Sequence, residues 1–410
     1  MTLRLWSGFL ILVLCLSCAS ARVLNGKADK LFKKQNFIKA AVELENTYQE
    51  EGVGSADELL FLLEIGLSYH AAGQYQKSNE YLLKADRLAE IKDYTSLVTS
   101  SATFLTSENI KYYLGEDFEK VLINTYLAMN YALLGNFEDA LVEARRVNRK
   151  LLLMKTEGKR DYKQNLFARY LCAVLYEADK EWEDAYIDYK KSMDLVSGWG
   201  RLEMDLWRGS YHLNRRQDQK LWKKKFKIKP DLILNYTKSS KKSELIILFE
   251  NGQSPEKRPH PGFYSIPLYY KRYNPVRYAN VFIDQIKTTQ TKMLFNIEKT
   301  AIKNLKDQAA AIIAKKMAGV VAKEAVSYGI EESTDSPVLG FLSRLFFYAS
   351  DQADLRSWKF LPRDLQMARI WVDAGRHEVV LRANRGDWYE KKQVYVPEGK
   401  KVFVNFRYIP

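Results

Sequence analysis

The chain has 410 residues, 47% hydrophobic and 28% charged, the make-up of a folded globular protein rather than a disordered or fibrous one. Lys and Arg number 64 against 50 Asp and Glu, a net charge of +14. Three cysteines exclude a disulfide-stapled scaffold, so a buried core must hold the fold.

The first residues read as an export signal. Arg4 is followed by an apolar run, Phe9 to Leu16, too short to span a bilayer, which takes about 20 residues. Two processing sites overlap in "LCLSCASAR". Ser17-Cys18 resembles a bacterial lipoprotein site, with residues 1–17 removed and Cys18 lipidated, although Leu16 and Cys15 depart from the usual form. Ala19-Ser20-Ala21 suits ordinary cleavage before Arg22, which leaves a soluble periplasmic product. Lipidation is the favoured reading, since several acyl chains give stable anchoring. By resemblance to Gram-negative lipoproteins, Ala19 after the cysteine points to the outer membrane. Both readings export the chain, and export argues against nucleic acid as the partner of its positive charge.

Residues 18–213 read as helical repeats. In "LEIGLSYHAAGQYQKSNEYLLKA", Gly66, Tyr69, Gly73, Tyr75, Ser78, Leu82 and Ala85 fall where a tetratricopeptide repeat takes small, aromatic and large residues. Small residues let two antiparallel helices approach, and Gly73 closes the first of them. Further units centre on Ala128 to Val147 and on Ala173 to Ser192, with a weaker one at Ala28 to Leu44. The spacing between units is irregular, which implies inserts. Trp199 to Leu213 reads as further helix.

Residues 214–240 are expected as a basic linker. Arg215, Arg216, Lys220, Lys223, Lys224, Lys225, Lys227 and Lys229 are interleaved with Leu221, Trp222, Phe226 and Ile228. Such a segment is either a solvated connector or a contact for an anionic lipid or cell-wall surface. Residues 241–410 read as a small β-sandwich-like domain. "SELIILFENG" ends in a tight-turn signal at Asn251-Gly252. Val394, Val396, Val402, Val404 and Phe406 alternate as in a half-buried sheet. A helical hairpin is inserted at about 289–350. Its first helix carries the stripe Leu294, Ile297, Ala301, Leu305, Ala309, Ile312, Ile313, Met317 and Val320, and its second is Val338 to Ser350. The fold class is therefore α+β, a tetratricopeptide-like solenoid followed by this domain.

Lys111 to Asn148, Glu244 to Lys257 and Asp351 to Ile370 together resemble a largely uncharacterised family of bacterial exported proteins with tetratricopeptide-like repeats and lipoprotein signals. The resemblance implies an envelope location and this repeat-plus-β architecture, and it implies no known reaction.

Chemistry is sparse. His70, His212, His260 and His377 are scattered, with no metal-binding spacing. No nucleophile elbow or phosphate-binding loop is present. No catalytic residue, metal or cofactor is assigned. Cys172 reads as a buried structural thiol, and Glu116 and Asp117 as a helix-capping region. By resemblance to tetratricopeptide domains, the first helices line a groove at Leu63, Leu67 and His70, at Thr125, Met129 and Ala132, and at Tyr170, Val174 and Glu177. Two occupants stay open: a helix or extended peptide of an envelope protein, or the chain's own C-terminal domain. The function expected is a non-enzymatic periplasmic scaffold docking an envelope protein through its repeats. The alternatives are a factor binding cell wall or anionic lipid, and an envelope enzyme without a recognisable motif.

Overall fold

A computed structural model describes residues 26–99, 112–158, 164–238, 243–309 and 353–410. The signal region with Cys18 lies outside the described residues, as does the apolar helix expected at Val338 to Ser350.

Helices α1 (Lys27–Lys33), α2 (Phe37–Thr47), α3 (Glu58–Ala71), α4 (Tyr75–Thr99), α5 (Asp117–Leu133), α6 (Phe137–Gly158), α7 (Leu166–Ala178), α8 (Trp182–Met193), α9 (Gly200–His212) and α10 (Arg216–Lys225) form five successive hairpins. Each hairpin turn holds one residue in the left-handed conformation: Gln35, Gly73, Gly135, Lys180 and Asn214. At each, the same two backbone bonds close the first helix, as in Gly73 N–H to His70 O (2.9 Å) and Gln74 N–H to Tyr69 O (2.9 Å). Within the second hairpin the helices approach so closely that a Cβ on Gly66 would lie 2.7 Å from Leu82 Cδ2. The small residue at that position is therefore a packing requirement.

The fifth hairpin replaces the expected linker. The residues at its aromatic and small positions are Arg216 and Gln219, which hides the repeat in the sequence. The backbone restores it. Asn214 N–H bonds Tyr211 O (3.1 Å) and Arg215 N–H bonds Ser210 O (2.9 Å), as in the other turns. Trp222 turns inward and donates to the Tyr186 hydroxyl (2.8 Å). A short helix, α11 (Pro230–Lys238), follows.

The strands are β1 (Ser243–Asn251), β2 (Glu256–His260), β3 (Phe263–Tyr270), β4 (Ala279–Ile283), β5 (Ile286–Gln290), β6 (Lys292–Asn296), β7 (Asp364–Val372), β8 (Gly375–Ala383), β9 (Tyr389–Val396) and β10 (Lys401–Tyr408). One sheet has the order β10-β1-β7-β6 and another β5-β4-β8-β9, and β2 pairs with β3 apart from both. Strand β1 runs parallel to β10 and antiparallel to β7. Leu245, Ile247, Phe249, Ile370, Val404 and Phe406 from the first sheet share a core with Val281, Ile283, Val379, Leu381 and Val396 from the second. That is a sandwich. Val394 and Val402 pack at its margin.

Two details differ from the sequence reading. The helix expected from about Thr289 begins at 297, as α12 (described over 297–309, with Ile312, Ile313, Met317 and Val320 outside the described residues), because residues 286–296 pair as β5 and β6. Asn251-Gly252 does not turn one strand onto the next, since β1 pairs with β10 and β7. Instead Asn251 is buried and donates to Val276 O (3.0 Å). Gly252 has φ 72°, and a Cβ there would lie 2.1 Å from Asn274 Nδ2.

Chain contacts gather into two compact units that cut across the expected boundaries. The first takes Met1–Gly115, Lys257–Leu268 and Gln308–Phe360. The second takes Glu116–Glu256, Tyr269–Asp307 and Leu361–Pro410. The repeats are thus shared out, two hairpins to the first unit and three to the second.

Candidate functional site

The groove positions fall inside the protein. Leu63, Leu67, His70, Thr125, Met129, Ala132, Tyr170, Val174 and Glu177 are all buried.

In the second unit, the chain's own sheet covers the repeat helices. Alternation along β1 sends Leu245, Ile247 and Phe249 into the sandwich and Glu244 and Glu250 to the opposite face. The register puts Arg369 of β7 and Lys401, Asn405 and Arg407 of β10 on that same face. The Arg369 side chain is 1% exposed. Its Nη2 donates to Glu177 of α7 (3.0 Å) and to Glu244 (2.8 Å). Its Nε donates to Glu244 (2.8 Å), and its Nη1 to Asp205 of α9 (3.1 Å) and to the Tyr189 hydroxyl (2.9 Å). Arg208 joins Glu177 and Asp205. Lys401 joins Glu177 and Glu244, Arg201 joins Glu244, and Tyr170 donates to Asp205.

Four cations thus enclose three carboxylates. Burial opposes ionisation of Glu177 and Glu244, but the surrounding Arg and Lys charges outweigh it. Both carboxyls are held well below the ordinary range. Burial pushes the hydroxyls of Tyr170 and Tyr189 up, so they stay neutral donors. A second cluster lies on the same sheet face. Tyr126 of α5 and Asn405 donate to the two oxygens of Glu250, at 2.9 and 2.7 Å.

In the first unit, the covering segment is irregular chain ending in a turn rather than a sheet. Residues 353–358 carry no regular secondary structure. The backbone N–H groups of Lys359 and Phe360 donate to the Glu64 carboxylate of α3, at 2.6 and 3.1 Å. Arg356 pairs with Asp57 (2.9 Å), and its carbonyl accepts from Lys257 Nζ (3.1 Å). Trp358 is 1% exposed, and the Phe360 ring stacks on Phe32 with centroids 3.9 Å apart. Asp354 braces the Arg356 guanidinium through Nε (2.9 Å) and Nη2 (2.7 Å).

Tyr170 and Glu177, named from the repeat pattern, carry these polar contacts. The pattern missed their neighbours. Glu64, Tyr126 and Asp205 occupy one equivalent position of their repeats, next after Leu63, Thr125 and Met204. A signal for Glu64 was present, a lone acid inside the otherwise apolar "LLFLLEIGL". A buried acid needs partners.

No protein-family model matches the chain, and no curated protein matches it. Among solved structures, it is similar to MamA from Desulfovibrio magneticus RS-1. That match has 13% identity and a TM-score of 0.33, over 54% of this chain and 97% of the other. It is similar to a Podosopora anserina putative kinesin light chain with TPR-like repeats, at 16% identity and a TM-score of 0.34, over 53% and 97%. It is also similar to BtubC from P. vanneervenii, at 16% identity and a TM-score of 0.34, over 52% and 78%.

The capping acids and the cysteine hold the fold together. Glu119 accepts the Glu116 N–H (2.8 Å) at the start of α5, and Glu116 accepts from Asn304 (2.7 Å). Cys172 is buried, and burial pushes its thiol well up. Among the described residues no group of His, Cys, Asp or Glu is placed to hold a metal, and no helix is long and apolar enough to cross a membrane. The eight basic residues from Arg215 to Lys229 are all exposed on and beside α10. Exposed Leu221, Leu232 and Leu234 stand among and beyond them.

Proposed function

We propose that the chain is a non-enzymatic scaffold of the bacterial envelope. In this reading lipid on Cys18 anchors it on the periplasmic side of the outer membrane. Its repeats hold a protein partner outside the groove positions that its own sheet covers, and α10 and α11 rest on an anionic bilayer surface. The exposed ridge from Arg215 to Leu234 carries the membrane part of this reading. Its cations attract anionic headgroups while Leu221, Leu232 and Leu234 offer apolar area to the interface. Trp222 anchors the helix from beneath through Tyr186, whose hydroxyl bonds Asp218 (2.8 Å). The ridge therefore keeps its shape when its lysines are changed.

Sedimentation with anionic vesicles tests it. Each basic residue near such a surface contributes about 1 kcal/mol, so replacing Lys223, Lys224 and Lys225 with Glu weakens binding by at least about 100-fold. Binding by the unaltered chain falls steeply with salt. Equal binding by the variant, or binding indifferent to salt, contradicts the reading. Co-sedimentation with peptidoglycan but not with vesicles assigns the ridge to the cell wall instead. Mass spectrometry of the mature N-terminus checks the anchor: acylated Cys18 is expected, and a free Arg22 contradicts it.

A further inference from the structure

Segment 353–360 sits in the first unit as a ligand sits in a receptor. Its backbone is held by a side chain, Glu64, which accepts two successive N–H groups at 2.6 and 3.1 Å. Arg356, Trp358 and Phe360 alternate along the chain. Arg356 meets Asp57, Trp358 is buried, and Phe360 meets Phe32. Lys359 and Phe360 lie in a turn, which brings both of their N–H groups to one carboxylate. Specificity then rests on the ion pair, the buried Trp358 and the Phe32 seat for Phe360, and affinity on the two backbone bonds.

We propose that the groove of the first two repeats is a receptor for a peptide of the form Arg-x-Trp-x-Phe whose Phe end closes in a turn, and that residues 353–360 are its occupant in cis. A partner protein presenting that pattern displaces the chain's own segment. The groove offers such a peptide three things already in place: the Asp57 carboxylate, the Glu64 acceptor and the Phe32 ring. A tethered occupant competes at an effective concentration of about millimolar, so the site is masked until the segment is released. This inference is independent of the membrane reading, because the residues involved lie outside the α10–α11 ridge.

The test uses a fluorescent peptide copying residues 353–361, titrated onto the full-length protein. The unaltered chain binds it weakly. Phe360→Ala in the chain empties the aromatic seat, and the peptide then binds at least about tenfold more tightly, saturably, and raises the variant's thermal midpoint. A peptide with Ala at both the Arg and Phe positions does not bind. Adding Glu64→Gln to the receptor lowers affinity again. If Phe360→Ala does not fold, Arg356→Gln serves, since it takes the pairs with Asp57 and Asp354 and the contact over the Tyr113 ring from the segment while leaving Trp358 and Phe360 in place. Failure of the peptide to bind either folded variant overturns the proposal, as does equal binding of a scrambled peptide.

Discussion

The guanidinium of Arg369 donates to three carboxylates and two tyrosine hydroxyls while almost wholly buried. Removing such a group strands its partners, because Glu177, Glu244 and Asp205 remain out of water with less compensation. Arg369→Met is therefore expected to cost about 3–5 kcal/mol in urea unfolding. A loss below about 1 kcal/mol would mean that water reaches the cluster. The acids at this scale were partly legible. Glu177 was read as a groove residue, and Glu64 stands out in an apolar helix. Arg369 was not legible, because in "MARIWV" it looks like an exposed strand residue. Nothing local tells that the opposite side of the strand, too, is covered. Met129→Glu and Tyr170→Glu follow the same logic. Both positions are buried, so each change places a carboxylate out of water and is expected to lower stability.

At the scale of elements, the hairpins share one turn geometry even where their sequences diverge. Gly73 and Gly135 suit the left-handed position, but Lys180 adopts φ 66° there. A side chain in that conformation costs about 1 kcal/mol. Lys180→Gly is expected to raise stability by about 0.5–1 kcal/mol in thermal or urea unfolding, and a loss would show that the lysine side chain contributes more than its backbone costs. Gly66→Ala goes the other way. Its methyl group would meet Leu82 at 2.7 Å, so the two helices must part, at about 1–3 kcal/mol. Four hairpins could be read from small and aromatic residues at fixed offsets. The fifth could not, because Arg216 and Gln219 replace those residues and the dense charge resembles a connector. The early strand pairing of 286–296 was hidden for another reason. Leu294 fits a helical stripe, but the neighbouring strand β7 is distant in sequence and cannot be foreseen locally.

At the scale of the whole molecule, repeats and sheets make one electrostatic structure within the second unit. Glu177 and Glu244 have folded-state values below the ordinary glutamate value near 4.3. Their contribution is present in full above that pH and is lost as pH falls toward the depressed values. Unfolding free energy is thus expected to hold through mild acid and to fall only below about pH 4 from this cluster, with a shallower acid slope in Glu177→Gln. Helical repeats and strands were readable from periodicity, but not the two compact units they form. Its consequence, repeats wrapped onto their own sheet, was not, because it depends on which face of β1, β7 and β10 carries charge. The central claim is that the sheet fills the repeat groove through the Glu177–Arg369 pair. A double-mutant cycle with Glu177→Gln and Arg369→Met tests it most directly. The structure predicts a coupling of about 2–3 kcal/mol between the two sites; additivity within about 0.5 kcal/mol would contradict it.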